Sequence, residues 1–196
     1  ASKEEIRYKS SQMKLVTYSK QKVVSCGVLT DEGIVDIPSL WDSPDPPGSV
    51  KEVLERGPAC LTKLTQLVKS AEDVTPLDSV KLLAPIPRPG KVLALAGNYA
   101  EHIKEAGLKL GLSDSPRVTT VPRPFLMPAT AVIGPGDQIP WPVYSETIDY
   151  ELELAVVIGR KAKSITPDQA PEFIAGYTIV NDVSARTVTF TKNRAK

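Results

Sequence analysis

Hydrophobic and polar positions alternate along Met13-Lys14-Leu15-Val16-Thr17-Tyr18, the period of a strand with one buried face. Val23 to Leu29 and Gly33 to Ile37 read as a second and third strand, paired as a hairpin that turns at Thr30-Asp31-Glu32-Gly33. Ser43-Pro44-Asp45-Pro46-Pro47-Gly48 is a loop, and beyond it the period becomes helical. One helix is expected from Val50 to Arg56, stopped by Gly57-Pro58. Another runs from Ala59 to Lys69, with Leu61, Leu64, Leu67 and Val68 on one face. Nothing in this part carries recognisable chemistry, and residues 1–80 are expected to form a small N-terminal accessory domain. Lys81 to Gly90, with prolines at 85, 87 and 89, reads as a stiff connector.

Past the connector the pattern becomes strand-rich. Lys91 to Ala96 is expected to be a short buried strand, followed by a short helix that Asn98 caps, Glu101 supports as the far side of a capping box, and Gly107 ends. His102 and Glu105 are three apart on that helix, hence neighbours on one face. A carboxylate beside an imidazole can fix its tautomer and raise its basicity, as a base that activates water requires; a surface helix with an ordinary polar face would look the same. Phe125 to Pro128 and Ala131 to Ile133 flank one turn, and Gly134-Pro135-Gly136-Asp137 makes another. Thr166-Pro167-Asp168-Gln169 has the N-cap, first-turn proline and capping-box glutamine of a helix start, and that helix is expected to end near Ala175-Gly176.

Between these elements lies Asp149-Tyr150-Glu151-Leu152-Glu153-Leu154-Ala155-Val156-Val157-Ile158-Gly159. Residues two apart on a strand share a face, so Glu151 and Glu153 project together while Leu152 and Leu154 point the other way. An E-x-E pair on a solvated face would be unremarkable. Here the glutamate face continues into Ala155 and Val157, which reads as a strand buried on both sides, where carboxylates need partners. A bound cation would relieve both their repulsion and their desolvation. A third carboxylate, Asp182, ends the apolar run Tyr177-Thr178-Ile179-Val180. An all-oxygen set suits Mg²⁺, Mn²⁺ or Ca²⁺ rather than zinc.

Bulk properties narrow the field further. A net charge of +1 makes no electrostatic case for a nucleic-acid or membrane partner. No apolar run approaches a transmembrane span, and Ala1-Ser2-Lys3-Glu4-Glu5 is unlike a secretory signal, so a cytoplasmic location is expected. One histidine and two distant cysteines, Cys26 and Cys60, argue against structural zinc and for free buried thiols.

Four segments in order and spacing, Gly97-Asn98-Tyr99-x-x-His102-x-x-Glu105, Ile133-Gly134-Pro135-Gly136-Asp137, Asp149 to Gly159, and Ala175-Gly176-Tyr177-Thr178 with Asn181-Asp182-Val183-Ser184-Ala185-Arg186, closely resemble the fumarylacetoacetate hydrolase family, in particular its smaller bacterial-type members. The resemblance implies an α+β fold, a roll of mixed β-sheet with a small N-terminal α/β domain, working as a homodimer. It implies Mg²⁺ or Mn²⁺ at Glu151, Glu153 and Asp182, and a divalent-metal-dependent hydrolase that cleaves a C–C bond in a β-diketo acid of the acylpyruvate or fumarylpyruvate type. By the same match His102, oriented by Glu105, activates water; Arg186 lies near the substrate, a small oxo-acid; and the Tyr99 segment contributes to a mobile lid. Isomerases, tautomerases and decarboxylases of related oxo-acids share the scaffold, and a non-catalytic metal-binding protein is the reading from outside enzymology. Thr187, Thr189 and Met127 depart from the family pattern, which bears on substrate identity. The pattern continues beyond Arg186 with a catalytic lysine and further strands, so residues 81–196 are expected to be the N-terminal part of the catalytic roll, without its C-terminal portion.

Overall fold

The computed structural model describes residues 13–101 and 122–187. They group into two compact units, one being Ile86–Gly134 and the other the residues up to Pro85 together with those from Pro135 on.

In the second of these units, β1 (Lys14–Lys20), β2 (Val23–Leu29), β3 (Ile34–Asp36) and β4 (Lys81–Leu83) form an antiparallel sheet in the order β3-β2-β1-β4. Gln21 (φ 50°) and Lys22 (φ 68°) are both left-handed, the backbone a two-residue hairpin loop needs to match strand twist. Neither residue is a usual turn former, so the sequence pattern shows the β2–β3 turn, closed by Thr30 N–H on the Gly33 carbonyl at 2.8 Å, more clearly than this one. The start of the expected connector is instead a strand. Lys81–Leu83 pairs with β1, and the Thr17 hydroxyl donates to the Pro85 carbonyl at 2.7 Å. Backbone groups beside an open sheet edge pair when they can, which outweighs the stiffness of the prolines that follow.

Helices α1 (Ile37–Leu40), α2 (Val50–Glu55) and α3 (Pro58–Lys69) complete this region, with α1 packing on β2 and α3, and α2 on β1 and α3. Each start is chemically marked. Asp36 caps α1 by accepting from Ser39 N–H at 3.0 Å, Ser49 caps α2 by accepting from Glu52 N–H at 3.1 Å, and Pro58 opens α3 after a left-handed Gly57. Cys26, Val28, Ile34, Ile37, Val50, Val53, Cys60 and Leu64 are buried together, and both cysteines are free thiols. Gly27 is required there: a Cβ would stand 2.4 Å from Ile34 Cγ2 and 2.7 Å from the Val35 carbonyl oxygen.

The Ile86–Gly134 unit holds a two-stranded antiparallel ladder, β5 (Val92–Leu95) with β6 (Pro124–Met127), extended by Ala96 N–H to the Arg123 carbonyl. The expected buried strand is therefore present but not buried, since Leu93 and Leu95 are exposed. Its continuous apolar run matches a covered strand, but burial depends on neighbours that local pattern does not specify. Ala129–Ala131 forms a turn of 3₁₀ helix after Pro128, at the turn expected between Pro128 and Ala131.

From Ile148 onward the chain builds one long hairpin: β7 (Ile148–Asp149) and β8 (Leu152–Ile158) on one arm, β9 (Ile174–Asn181) and β10 (Ser184–Ala185) on the other. The arms are joined through a 3₁₀ segment, Pro167–Phe173. Gln169 caps it as expected, its side chain accepting from Thr166 N–H at 2.9 Å. Pro171 lies inside this segment and lacks the N–H an α-helix would use, so it stays short and Ala175 and Gly176 belong to β9. No helix among the described residues is long and apolar enough to cross a membrane.

Candidate functional site

The register of this hairpin determines which side chains meet. Ile148 faces Ala185, Asp149 faces Ser184, Leu152 faces Asn181 and Glu153 faces Val180, so the count is the same on both sides of the interruption at Tyr150-Glu151. Within the interruption, Asp182 N–H donates to the Glu151 carbonyl at 2.9 Å, and Glu151 N–H donates to Asn181 Oδ1 at 2.9 Å. Glu151 is thereby opposite Asp182. Residues opposite each other, or two apart on one arm, share a face of a ladder. Asp149, Glu151 and Glu153 on one arm, with Asp182 and Arg186 on the other, form a single charged stripe.

Arg186 follows β10 and is held in the ladder by its N–H on the Thr147 carbonyl at 3.0 Å. Its side chain runs back along the stripe. Nε donates to Asp149 Oδ2 at 2.6 Å, and Nη2 pairs with Glu151 Oε1. Both Arg186 and Glu151 are mostly shielded, with side-chain exposures of 21% and 23%, so this pair is screened less than a surface one. The side-chain hydroxyl of Thr187, one of the departures from the family pattern, accepts from Glu146 N–H at 3.1 Å.

The opposite face of the hairpin corrects the expectation of a strand buried on both sides. Leu152, Leu154, Val156 and Ile158 on β8, and Tyr177 and Ile179 on β9, are exposed, whereas Glu151, Glu153, Ala155 and Val157 are half-buried. Alternation correctly separates the two faces, but which face is covered depends on elements distant in sequence.

The expected ligands thus share a face and one end of the hairpin, and their donor atoms are all oxygen, which fits a hard divalent cation. Their side chains do not converge: among the described residues no three acidic, histidine or cysteine side chains gather around one point. Glu151 is turned toward Arg186. Asp149 is the member of the stripe to which the sequence reading gave no role, although its place two residues before Glu151 in a strand was the available signal. Tyr99 is in the Ile86–Gly134 unit, at a bend after β5, and about 42% exposed. His102 and Glu105 lie outside the described residues.

The sequence profile described as fumarylacetoacetate (FAA) hydrolase C-terminal matches residues 91–196. Among curated proteins, the mitochondrial oxaloacetate tautomerase of Bos taurus is 36% identical over 154 residues, covering 79% of this chain and 46% of that protein. Among solved structures, a probable 2-hydroxyhepta-2,4-diene-1,7-dioate isomerase from Mycobacterium abscessus is 32% identical with a TM-score of 0.64, covering 90% of this chain and 54% of that one. A fumarylacetoacetate hydrolase from Exiguobacterium antarcticum is 26% identical at a TM-score of 0.64, covering 91% and 58%. The chain spans about half the length of the curated relatives it matches. Family members are enzymes and generally use divalent metal ions. With the profile covering more than half of its residues, and with its helices and sheets matching solved members, this chain belongs to the fumarylacetoacetate hydrolase family.

Proposed function

We propose that this chain carries the cation-binding ladder of an enzyme that works through enolates of small 2-oxo acids, and that its reaction is a proton shift, either tautomerisation or isomerisation. The observation that carries the reading is the continuous register that sets Glu151 opposite Asp182 with Glu153 on the same face. The reaction type draws its support from the relatives named as an oxaloacetate tautomerase and a dienedioate isomerase, whose named substrates are dicarboxylic acids.

Glu151, Glu153 and Asp182 would hold Mg²⁺ or Mn²⁺. When bound, such an ion would polarise a keto oxygen and stabilise the enolate relative to the keto form. Asn181 serves the same end indirectly, because its side-chain hydrogen bond to Glu151 N–H holds the backbone that carries the first ligand. Arg186 supplies the planar fork that matches a substrate carboxylate, which a flexible lysine would match less well. By the family resemblance, His102 and Glu105 would move the proton, and the Tyr99 segment would contribute to a lid. The protein acts as a homodimer in this proposal.

Hydrolysis of a C–C bond in a β-diketo acid is the second reading. It is favoured by the His102-x-x-Glu105 spacing, suited to activating water, and by the likeness to the Exiguobacterium antarcticum hydrolase. One pair of assays separates the two. With Mn²⁺ present, the change in ultraviolet absorbance as oxaloacetate enol converts to keto form is expected to accelerate, whereas loss of an acylpyruvate's diketo absorbance is not. The reverse pattern would establish the hydrolase, and His102→Ala should then abolish cleavage.

A further inference from the structure

One carboxylate in the charged stripe is claimed by two cations. Glu151 is a ligand in the reading above, yet in this structure its Oε1 is paired with Arg186 Nη2, while the same guanidinium is anchored through Nε to Asp149 at 2.6 Å. The backbone of Arg186 is fixed beside the stripe, because its N–H closes a rung on Thr147 and Ser184-Ala185 just before it is paired with Ile148-Asp149, and the bond to Asp149 keeps the guanidinium next to Glu151. A divalent ion on Glu151 would therefore sit a few ångströms from a fixed positive charge, with little solvent between them to screen the repulsion.

Resting on that metal reading, we propose that Arg186 is a built-in competitor for the metal ligand Glu151. It neutralises the carboxylate stripe, and an incoming divalent ion must draw Glu151 away from it. Asp149 is the second support of this device: it retains the guanidinium when Glu151 leaves, so that Arg186 remains beside the ion rather than swinging into solvent. Ion binding then breaks the contact between Arg186 and Glu151, while Asp149 still holds the guanidinium through Nε. The two charges that matter are a fork bridging two carboxylates and an ion that needs one of them.

The test is direct Mn²⁺ titration of the whole chain, followed by the electron paramagnetic resonance signal of the free ion, with far-ultraviolet circular dichroism as the check on folding. Arg186→Gln should bind Mn²⁺ about three- to tenfold more tightly than the parent, the size expected when a partly shielded ion pair no longer has to be broken. Arg186→Lys keeps the charge but cannot bridge both carboxylates, so its affinity should fall between the two; it also carries the test if Arg186→Gln does not fold. Unchanged or weaker binding by a folded Arg186→Gln overturns the proposal, as does an Arg186→Lys affinity equal to the parent's. Glu151→Gln separates this failure from failure of the metal reading. If that variant binds as tightly as the parent, or if neither the parent nor Arg186→Gln binds Mn²⁺, the metal reading and the competitor are both lost. If Glu151 matters and Arg186 does not, only the competitor is lost.

Discussion

The sheet β1–β4 with its helices and the β7–β10 hairpin are built on opposite plans. In the first, apolar side chains from strands and helices meet in one core, and Ile34, Ile37, Val53 and Leu64 are fully buried. Its charged group near the core is thoroughly satisfied: Asp36 accepts from the Tyr18 hydroxyl and the Ser25 hydroxyl, both at 2.5 Å, and from the Ser39 hydroxyl at 2.6 Å. The hairpin instead concentrates Asp149, Glu151, Glu153 and Asp182 along one face, with one guanidinium among them, and leaves leucines and isoleucines open on the other. One region uses charge as an anchor that is already paired. The other sets four carboxylates on one face, two of them bridged by Arg186, in a donor set that suits an added cation. Stability and binding should therefore respond to substitutions in different regions.

The largest effect is expected in the core. Leu64→Ala should lose about 2–5 kcal/mol in denaturant unfolding, through lost burial and the cavity left behind, while Mn²⁺ affinity of the folded fraction stays the same. Gly27→Ala should cost about 3 kcal/mol, at the upper end for overpacking, because the clash includes the Val35 backbone oxygen, which a rotamer change cannot move. If either variant instead weakened Mn²⁺ binding in folded protein, the separation between the regions would fail.

Glu151→Gln should do the converse. If Glu151 is a ligand as proposed, loss of its charge is expected to weaken Mn²⁺ binding by about 100-fold or more, above the range seen for supporting residues, with unfolding midpoints shifted only slightly.

A smaller effect follows from the Asp36 network. Burial and the neighbouring Asp36 push the Tyr18 hydroxyl up to about 12, burial being the larger cause. Burial also pushes the Asp36 carboxyl up, but hydrogen bonds from Ser25, Ser39 and Tyr18 together outweigh it and hold the group below its usual value. The signs give two edges. The depressed Asp36 contributes stability that is full above the ordinary carboxylate pKa of about 4 and is lost as pH falls through its own lower value. The raised Tyr18 contributes stability that is full below about 10 and lost as pH climbs towards 12. Tyr18→Phe should cost about 1–2 kcal/mol at neutral pH and flatten the alkaline edge of the unfolding profile. A profile with its alkaline edge unchanged in that variant would show that Tyr18 is not its source.

The smallest effect belongs to the open face of the hairpin. Leu154→Ser should change the stability of this chain by no more than about 0.5 kcal/mol, as exposed substitutions generally do. A loss of several kcal/mol, measured by the same unfolding assay, would mean that this face is covered in solution and that the contrast between the regions is one of partners rather than of plan.

Much of this was legible in local pattern. The helices over Val50–Glu55 and Pro58–Lys69 follow from Ser49, Gly57-Pro58 and the Leu61, Leu64, Leu67, Val68 face. Glu151 and Glu153 share a face because strand geometry allows nothing else. The helix expected after Thr166 shortened to a 3₁₀ segment because Pro171 lacks the N–H that an α-helix would use there, a detail also present in the sequence. Pairing and burial were not legible in the same way. That Lys81–Leu83 joins β1, that Arg186 reaches Asp149 and Glu151, and that Leu152 and Leu154 stand open are relations between residues far apart along the chain.

By itself the sequence determined the family, the strand and helix periods, and the residue types able to hold a hard cation. Only the tertiary structure decided that one uninterrupted register runs from Thr147 and Arg186 through Glu151 and Asp182 to Val157 and Gly176. The reason is physical: periodicity is a property of neighbours along the backbone, whereas register is chosen by the sum of many weak cross-strand contacts, and a slip of one residue would have put Asp182 and Arg186 on the face opposite Glu151 and Glu153.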